Sequence, residues 1–440
     1  VTAPDLLAHG IGGRQDLPLP FVDALAGAVV ALLATFVVLS FAWQRSRLRG
    51  DAGGRPLPGW LATVLDAASF RWGLRALGLL AAGWVLVALV FGPDTAVDSP
   101  VPGVLYVLMW VWVPLASLLF GPVWRAVNPL RTAHLILARV GGRDPRQGLL
   151  EYPVGWGYWP GAVLLAGFVW LELVPANQGT LPVVGLALLA YAVIVIMGAL
   201  LFGSRWLDHA DPFEVYSGLV ARFAPVGRRR DGALVLRNPF DGLDSIPPSP
   251  GLAAVVLVLL GSTAFDSVSG SPDWIRFVQQ SAAPSALLGT LGLALVVGVI
   301  AAAYVTAARA GGRIGDGRSR LPALFAHSML PIALGYVIAH YFSLAVVQGQ
   351  RTLILAADPV GAGNLLGLSS ADVSFALVNP TAMATLQVVA VVAGHICGAI
   401  AAHDRAVRLF PPETARWGQV PLLLLMVGYT YLGLTLLFAA

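Results

Sequence analysis

The stretches SRLPALFAHSMLPIALGYVIAHYFSLAVVQ (319–348) and TAMATLQVVAVVAGHICGAIAAHD (381–404) decide how the chain is read. Each is an apolar run long enough to cross a bilayer as a helix. Between them they hold four of the seven histidines, His327 and His340 on the first and His395 and His403 on the second. An ionisable side chain inside hydrocarbon is costly unless it is paired, liganded or wetted, so these histidines are functional candidates at once. The rest of the chain reads as the scaffold that holds this pair.

Composition agrees. The chain has 440 residues, 57% of them hydrophobic and 11% charged, with a mean hydropathy of +0.78. Soluble domains carry about 25% charged residues, so the fold class is an all-α, polytopic membrane helix bundle. All 27 basic residues are arginine, and they sit in short loops, where they set membrane orientation; this reads against a nucleic-acid partner despite a pI near 9.4. The lysine-free, Ala/Gly/Val-rich composition suggests a high-GC bacterial genome, and the apolar spans then predict the bacterial inner membrane. The lone Cys397 excludes an intrachain disulfide and reads as packing, with a metal role as the alternative.

Residues 1–20 lack the basic region that opens a secretory signal peptide and read as an extracytoplasmic arm. Ten apolar spans then follow within a single domain, 21–440, near 21–43, 75–93, 101–121, 156–175, 181–203, 251–270, 284–307, 321–346, 381–402 and 419–438. The loops after spans one, three, five, seven and nine hold six, five, six, four and three arginines, leaving only Arg14, Arg276 and Arg351 for the opposite side. The positive-inside rule then places those five loops in the cytoplasm and both termini outside.

Three cytoplasmic segments show helical apolar spacing. In 211–223, DPFEVYSGLVARF, Asp211 is a good N-cap, Pro212 fits the first helical position and Glu214 completes a capping-box pattern. Segment 128–140 has the same design with Asn128 as cap, and 58–71 is a looser version. These predict amphipathic helices on the inner membrane surface. LLFGPVWRAVNPL from Leu118 matches LLFGSRWLDHADPF from Leu200 with one inserted residue, so 75–140 and 156–223 read as tandem two-helix repeats. The long loop 204–250 predicts a turn and a short extended run, and its Arg228-Arg229-Arg230 run reads as a topology anchor or a lipid contact. GAGNLLG in 348–380 has the wrong glycine spacing for a dinucleotide site.

Two polar groups follow from depth along the spans. Toward the outer side, His340, Asp266 and Glu172 come to similar depth on three helices, with Asp23 at the edge of the first span and His9 in the arm able to close over them. Histidine with carboxylate is ligand chemistry for zinc, manganese or iron, and a bound metal would generate a hydroxide nucleophile. Carboxylates at a wet membrane boundary also occur with no such role. Deeper on the cytoplasmic side, His327 and His395 match in depth, as axial ligands of haem or copper, as a proton relay, or as histidines satisfied in the core. Thirteen residues separate His327 from His340, about 140° around a helix, so those two do not share a site. His403 and Asp404 read as an interfacial pair.

Five strings, AHGIGGRQDLPLP (8–20), FGPVWRAVNPLR (120–131), DPFEVYSGLVARFAP (211–225), RNPFDGL (237–243) and AHYFSLAVVQGQ (339–350), together resemble a family of multi-pass membrane proteins, abundant in actinobacteria, that carries the name fenitrothion hydrolase. The resemblance spans nearly the whole chain. It implies hydrolysis of an organophosphorus triester and assigns no catalytic residue. Three expectations result: a metal-dependent hydrolase with Glu172, Asp266 and His340 as ligands or base; a transporter or ion pathway using the same groups; and a haem or copper redox subunit using His327 and His395.

Overall fold

The computed structural model of the chain describes residues 13–312, 320–363, 367–369 and 372–438. In chain order its helices are α1 (Phe21–Ala42), α2 (Gly59–Asp66), α3 (Ala68–Phe91), α4 (Val101–Phe120), α5 (Val123–Val127), α6 (Pro129–Val140), α7 (Trp159–Leu173), α8 (Leu181–Phe202), α9 (Ser204–Ala210), α10 (Pro212–Val220), α11 (Pro239–Asp244), α12 (Leu252–Ser269), α13 (Pro272–Gln280), α14 (Ser285–Ala310), α15 (Leu321–Ala356), α16 (Pro380–Leu409) and α17 (Trp417–Leu437). Three short strands, β1 (Arg55–Pro56), β2 (Val226–Arg228) and β3 (Leu234–Leu236), form an antiparallel sheet in the order β1-β3-β2. The hairpin turns at Asp231-Gly232, so the extended run foreseen in this loop is β3, and it gains an edge partner from far upstream.

Among the described residues nine helices are long and apolar enough to cross a membrane. The expected tenth, α7, has only 15 residues, about 22 Å against a hydrocarbon thickness of about 30 Å. Its start is delayed by a tight turn through Val154–Trp156 and by Gly157, whose φ of 44° and close approach to Pro250 admit no side chain. By contrast α15 has 36 residues, about 54 Å, and runs ten residues beyond the expected end at 346. It continues because Gly349 and Thr352 seat it against α4, with the Trp112 indole donating to the Ala345 carbonyl at 3.0 Å.

Burial separates core from periphery. The most apolar windows of α12 and α15 are 72% and 78% buried, whereas those of α1, α3, α8 and α14 are at most 22% buried and present Val, Leu and Phe outward. This is the inverse of a water-facing surface and suits lipid. α15 and α16 touch backbone to backbone: a Cβ on Gly335, Gly394 or Gly398 would stand within 2.7 Å of a carbonyl of the other helix. The Gly394-x-x-x-Gly398 spacing is the small-residue pattern that lets membrane helices approach closely.

The arginine-rich loops gather at one end of the bundle. Asp404 at the end of α16 accepts from the Trp43 indole (2.9 Å), the Ser46 hydroxyl (2.8 Å) and the Arg47 N–H (2.6 Å). Asp244 on α11 accepts from Arg405 at 3.0 Å and from Arg408. Arg228 pairs with Asp66, and Gly311 meets Gly418. His403 and Asp404 are therefore buried tie-points rather than an interfacial pair, His403 facing the Gln419 side-chain oxygen at 2.9 Å and the Trp43 carbonyl at 2.8 Å.

Candidate functional site

The segments α5–α6 and α9–α10 are built alike. A glycine at positive φ (Gly121, 90°; Gly203, 67°) ends a long helix, a short helix follows, and an extended Asn128 or Asp211 caps the next. Each cap side chain accepts from two backbone N–H groups, Asn128 from Leu130 and Arg131 and Asp211 from Phe213 and Glu214, as the sequence pattern requires. The caps then meet: Asn128 Nδ2 donates to Asp211 Oδ2 at 2.8 Å, and Arg131 donates to both Glu214 oxygens at 2.8 and 2.5 Å. Tyr191 adds a hydroxyl donor to Asp211 at 3.0 Å, while Asp208 bridges Arg131 at 2.6 Å and Arg125 at 3.1 Å.

This network holds α10 inside the bundle. Eight of its nine residues are buried, so it is helical and capped by Asp211 as expected but does not lie on the membrane surface. Its aromatic residues are the reason: Phe213 packs on Phe168 (ring centroids 5.1 Å) and Tyr191 (5.3 Å), and Tyr216 packs on Trp110 (5.3 Å). α6 is different, with Ile136, Leu137 and Val140 exposed and only Thr132 and His134 buried, and it remains suited to an interface. Burial pushes the Glu214 carboxyl up to about 7, against the nearby Arg131 guanidinium, which holds it down.

A second polar group sits beside α10. His340 Nε2 and Asp266 Oδ2 are 2.8 Å apart, and the Tyr341 hydroxyl donates to the same oxygen at 2.9 Å. Tyr336 stacks on His340 (6.3 Å, 9°) and shares a 3.0 Å hydrogen bond with Ser267. Glu172, at the end of α7, lies within electrostatic reach of Asp266, Tyr341, Tyr106 and Tyr216, and its buried Oε2 has no hydrogen-bond partner. The Trp110 indole nitrogen and the Tyr216 hydroxyl are also buried and unpartnered. Tyr106 and Trp110 are carried by a π-helical stretch of α4, Val104–Trp112, a helical form frequent at functional sites.

The structure thus brings Asp266 and His340 into contact and sets Glu172 near them. Asp23 is exposed on the first turn of α1, and His9 lies outside the described residues. No group of three or more His, Cys, Asp or Glu side chains among the described residues is arranged to hold a metal ion. His327 and His395 face different surroundings. His327 shares Nδ1 with the Leu324 carbonyl (3.1 Å) near Arg405 and Asp244; His395 shares Nδ1 with the Val391 carbonyl (2.8 Å) and lines an apolar cleft with Ile332, Tyr336 and Tyr429. Each Nε2 is buried and unpartnered. Cys397 is half-buried.

The tyrosines and Trp110 were missed by sequence reasoning. Tyr341 adjoins His340 in sequence, and Tyr216 lies in the segment 211–223 expected at the membrane surface, so pairing intramembrane carboxylates with nearby hydroxyls is the signal that points to both. Comparisons of the chain with family models, curated proteins and solved structures return no match.

Proposed function

We propose that the protein is a multi-pass membrane protein of the transport type, in which Glu172, Asp266 and His340 take up and pass on protons, with the arginine-rich loops in the cytoplasm and both termini outside, the short α7 serving as the tenth crossing. The observation that carries this is Glu172 Oε2, buried without a partner near an aspartate that already serves a histidine and a tyrosine. Two neighbouring carboxylates in a low-dielectric interior titrate as a unit, and the His340 imidazole offers the proton a second seat at Asp266 Oδ2. Intramembrane carboxylate–histidine groups of this kind mark proton paths. Proteoliposomes enclosing a pH-sensitive dye test it: an imposed potential should drive acidification through the wild type and not through Glu172→Gln. Equal acidification by that variant would remove the reading.

The second reading is the metal-dependent hydrolase implied by the family resemblance. Asp266 Oδ2 and His340 Nε2 are both ligand atoms, and Glu172 Oε2 is the nearby free oxygen that would complete a set. A zinc or manganese ion there would lower the pKa of bound water for attack on a phosphotriester. Metal content of the purified protein, with triester turnover lost in His340→Ala, would favour this reading over proton passage. A haem or copper centre would need His327 and His395 to converge, and their different surroundings give that reading no support.

A further inference from the structure

The arginine run at 228–230 is largely neutralised within the fold: Arg228 pairs with Asp66, and Arg229 donates to Asp231 at 3.0 Å. Three arginines scattered in sequence behave oppositely. Arg75 and Arg139 both lie over the Trp72 indole, 5.0 and 5.5 Å from its ring centre, and Arg71 is within electrostatic reach of Arg75. Among the described residues no side-chain hydrogen bond or ion pair joins Arg71, Arg75 or Arg139 to a carboxylate. Asp66 is near Arg71, but Arg228 occupies it.

The backbone forces this crowding. A Cβ on Gly78 would come 1.6 Å from the Val127 carbonyl oxygen, so α3 lies directly against α5, and the turn of α3 carrying Arg75 and Trp72 is set beside α6 and Arg139. Like charges held together cost energy unless an anion joins them. Trp72 is 38% exposed, and Leu77 and Leu80 on α3 and Ile136 and Leu137 on α6 are exposed as well. Two guanidinium groups over one indole with a third arginine close by, at the arginine-rich end of an apolar wall, match a phosphate attached to acyl chains.

We propose that Arg75 and Arg139 over Trp72, with Arg71 beside Arg75, bind the headgroup of an anionic phospholipid whose chains lie along α3 and α6. The full chain is reconstituted in nanodiscs of one part phosphatidylglycerol to four of phosphatidylcholine, re-extracted in mild detergent, and its retained lipid measured by mass spectrometry. Wild type should retain phosphatidylglycerol over phosphatidylcholine, and affinity should fall by about fivefold for each arginine removed in Arg71→Gln/Arg75→Gln/Arg139→Gln. Arg228→Gln/Arg229→Gln, which removes charges already paired, should match wild type. Undiminished retention in the triple variant, or equal loss in the paired-arginine control, would overturn the proposal. A photoactivatable phosphatidylglycerol on unaltered protein gives an answer even if the triple variant does not insert: adducts must fall within 68–77 and 134–142, and adducts confined elsewhere, or none, refute the site.

Discussion

Two pairs of carboxylates lie inside this bundle, and they are kept in different ways. Asp211 and Glu214 are saturated: caps, an asparagine, a tyrosine and an arginine take up their oxygens. Glu172, beside Asp266, is not, since one of its oxygens is buried with no partner. Saturation rigidifies, whereas an unmet acceptor retains a preference for a proton or cation. The comparison assigns the first pair to architecture and the second to chemistry, and substitutions can separate the two.

The largest effect should come from Asp211→Ala. It removes a cap and leaves Asn128, Tyr191 and two N–H groups without their acceptor, a loss of about 3–5 kcal/mol. A fall in the unfolding midpoint no larger than that of an exposed-site control would break the architectural half of the comparison. Next is Gly78→Ala, where a methyl group would meet a carbonyl; about 1–3 kcal/mol is expected from overpacking, read by the same unfolding measurement.

A pH series sharpens the contrast. The folded-state value of Glu214, about 7, stands above its ordinary 4.5. The folded state therefore binds this proton more tightly than the unfolded state. That contribution is fully present below the ordinary value and is lost as pH rises through about 7. Wild type should lose stability across this window, and Glu214→Gln should flatten the slope; identical slopes would contradict the assignment. The smallest structural effect is expected of Glu172→Gln, within about 0.5 kcal/mol because no hydrogen bond is broken at Oε2. The same variant should abolish proton uptake, and a large stability loss would instead place Glu172 with the architectural pair.

Much of this was legible in the sequence. Apolar run length marked ten spans, of which nine are helices long and apolar enough to cross a membrane among the described residues, and the arginine alternation anticipated which loops share one end. The caps at Asn128 and Asp211 could be named from Asn-Pro-Leu-Arg and Asp-Pro-Phe-Glu alone. What could not be read depended on neighbours. Phe213, Tyr216 and Val220 have the spacing of a surface-lying helix, and only the rings of Phe168, Tyr191 and Trp110 turn that apolar stripe inward. The site was half visible: His340 and Asp266 could be matched by depth, but their depth was set against an α15 that in fact runs on to Ala356. Tyr341 and the π-helical turn carrying Trp110 left no periodic signal.

The meeting of Asn128 with Asp211, and of Arg131 with Glu214, joins corresponding positions of two segments whose sequences match. Were each half a separate, identical molecule pairing about a two-fold axis, every such position would face its own copy. Aspartate would then oppose aspartate and arginine oppose arginine, an arrangement that repels itself. Carried in one chain, the two segments present complements to each other: amide against acid, base against acid. The contact is directional, a lock in which each segment fits the other and a duplicate of either would set like charges face to face.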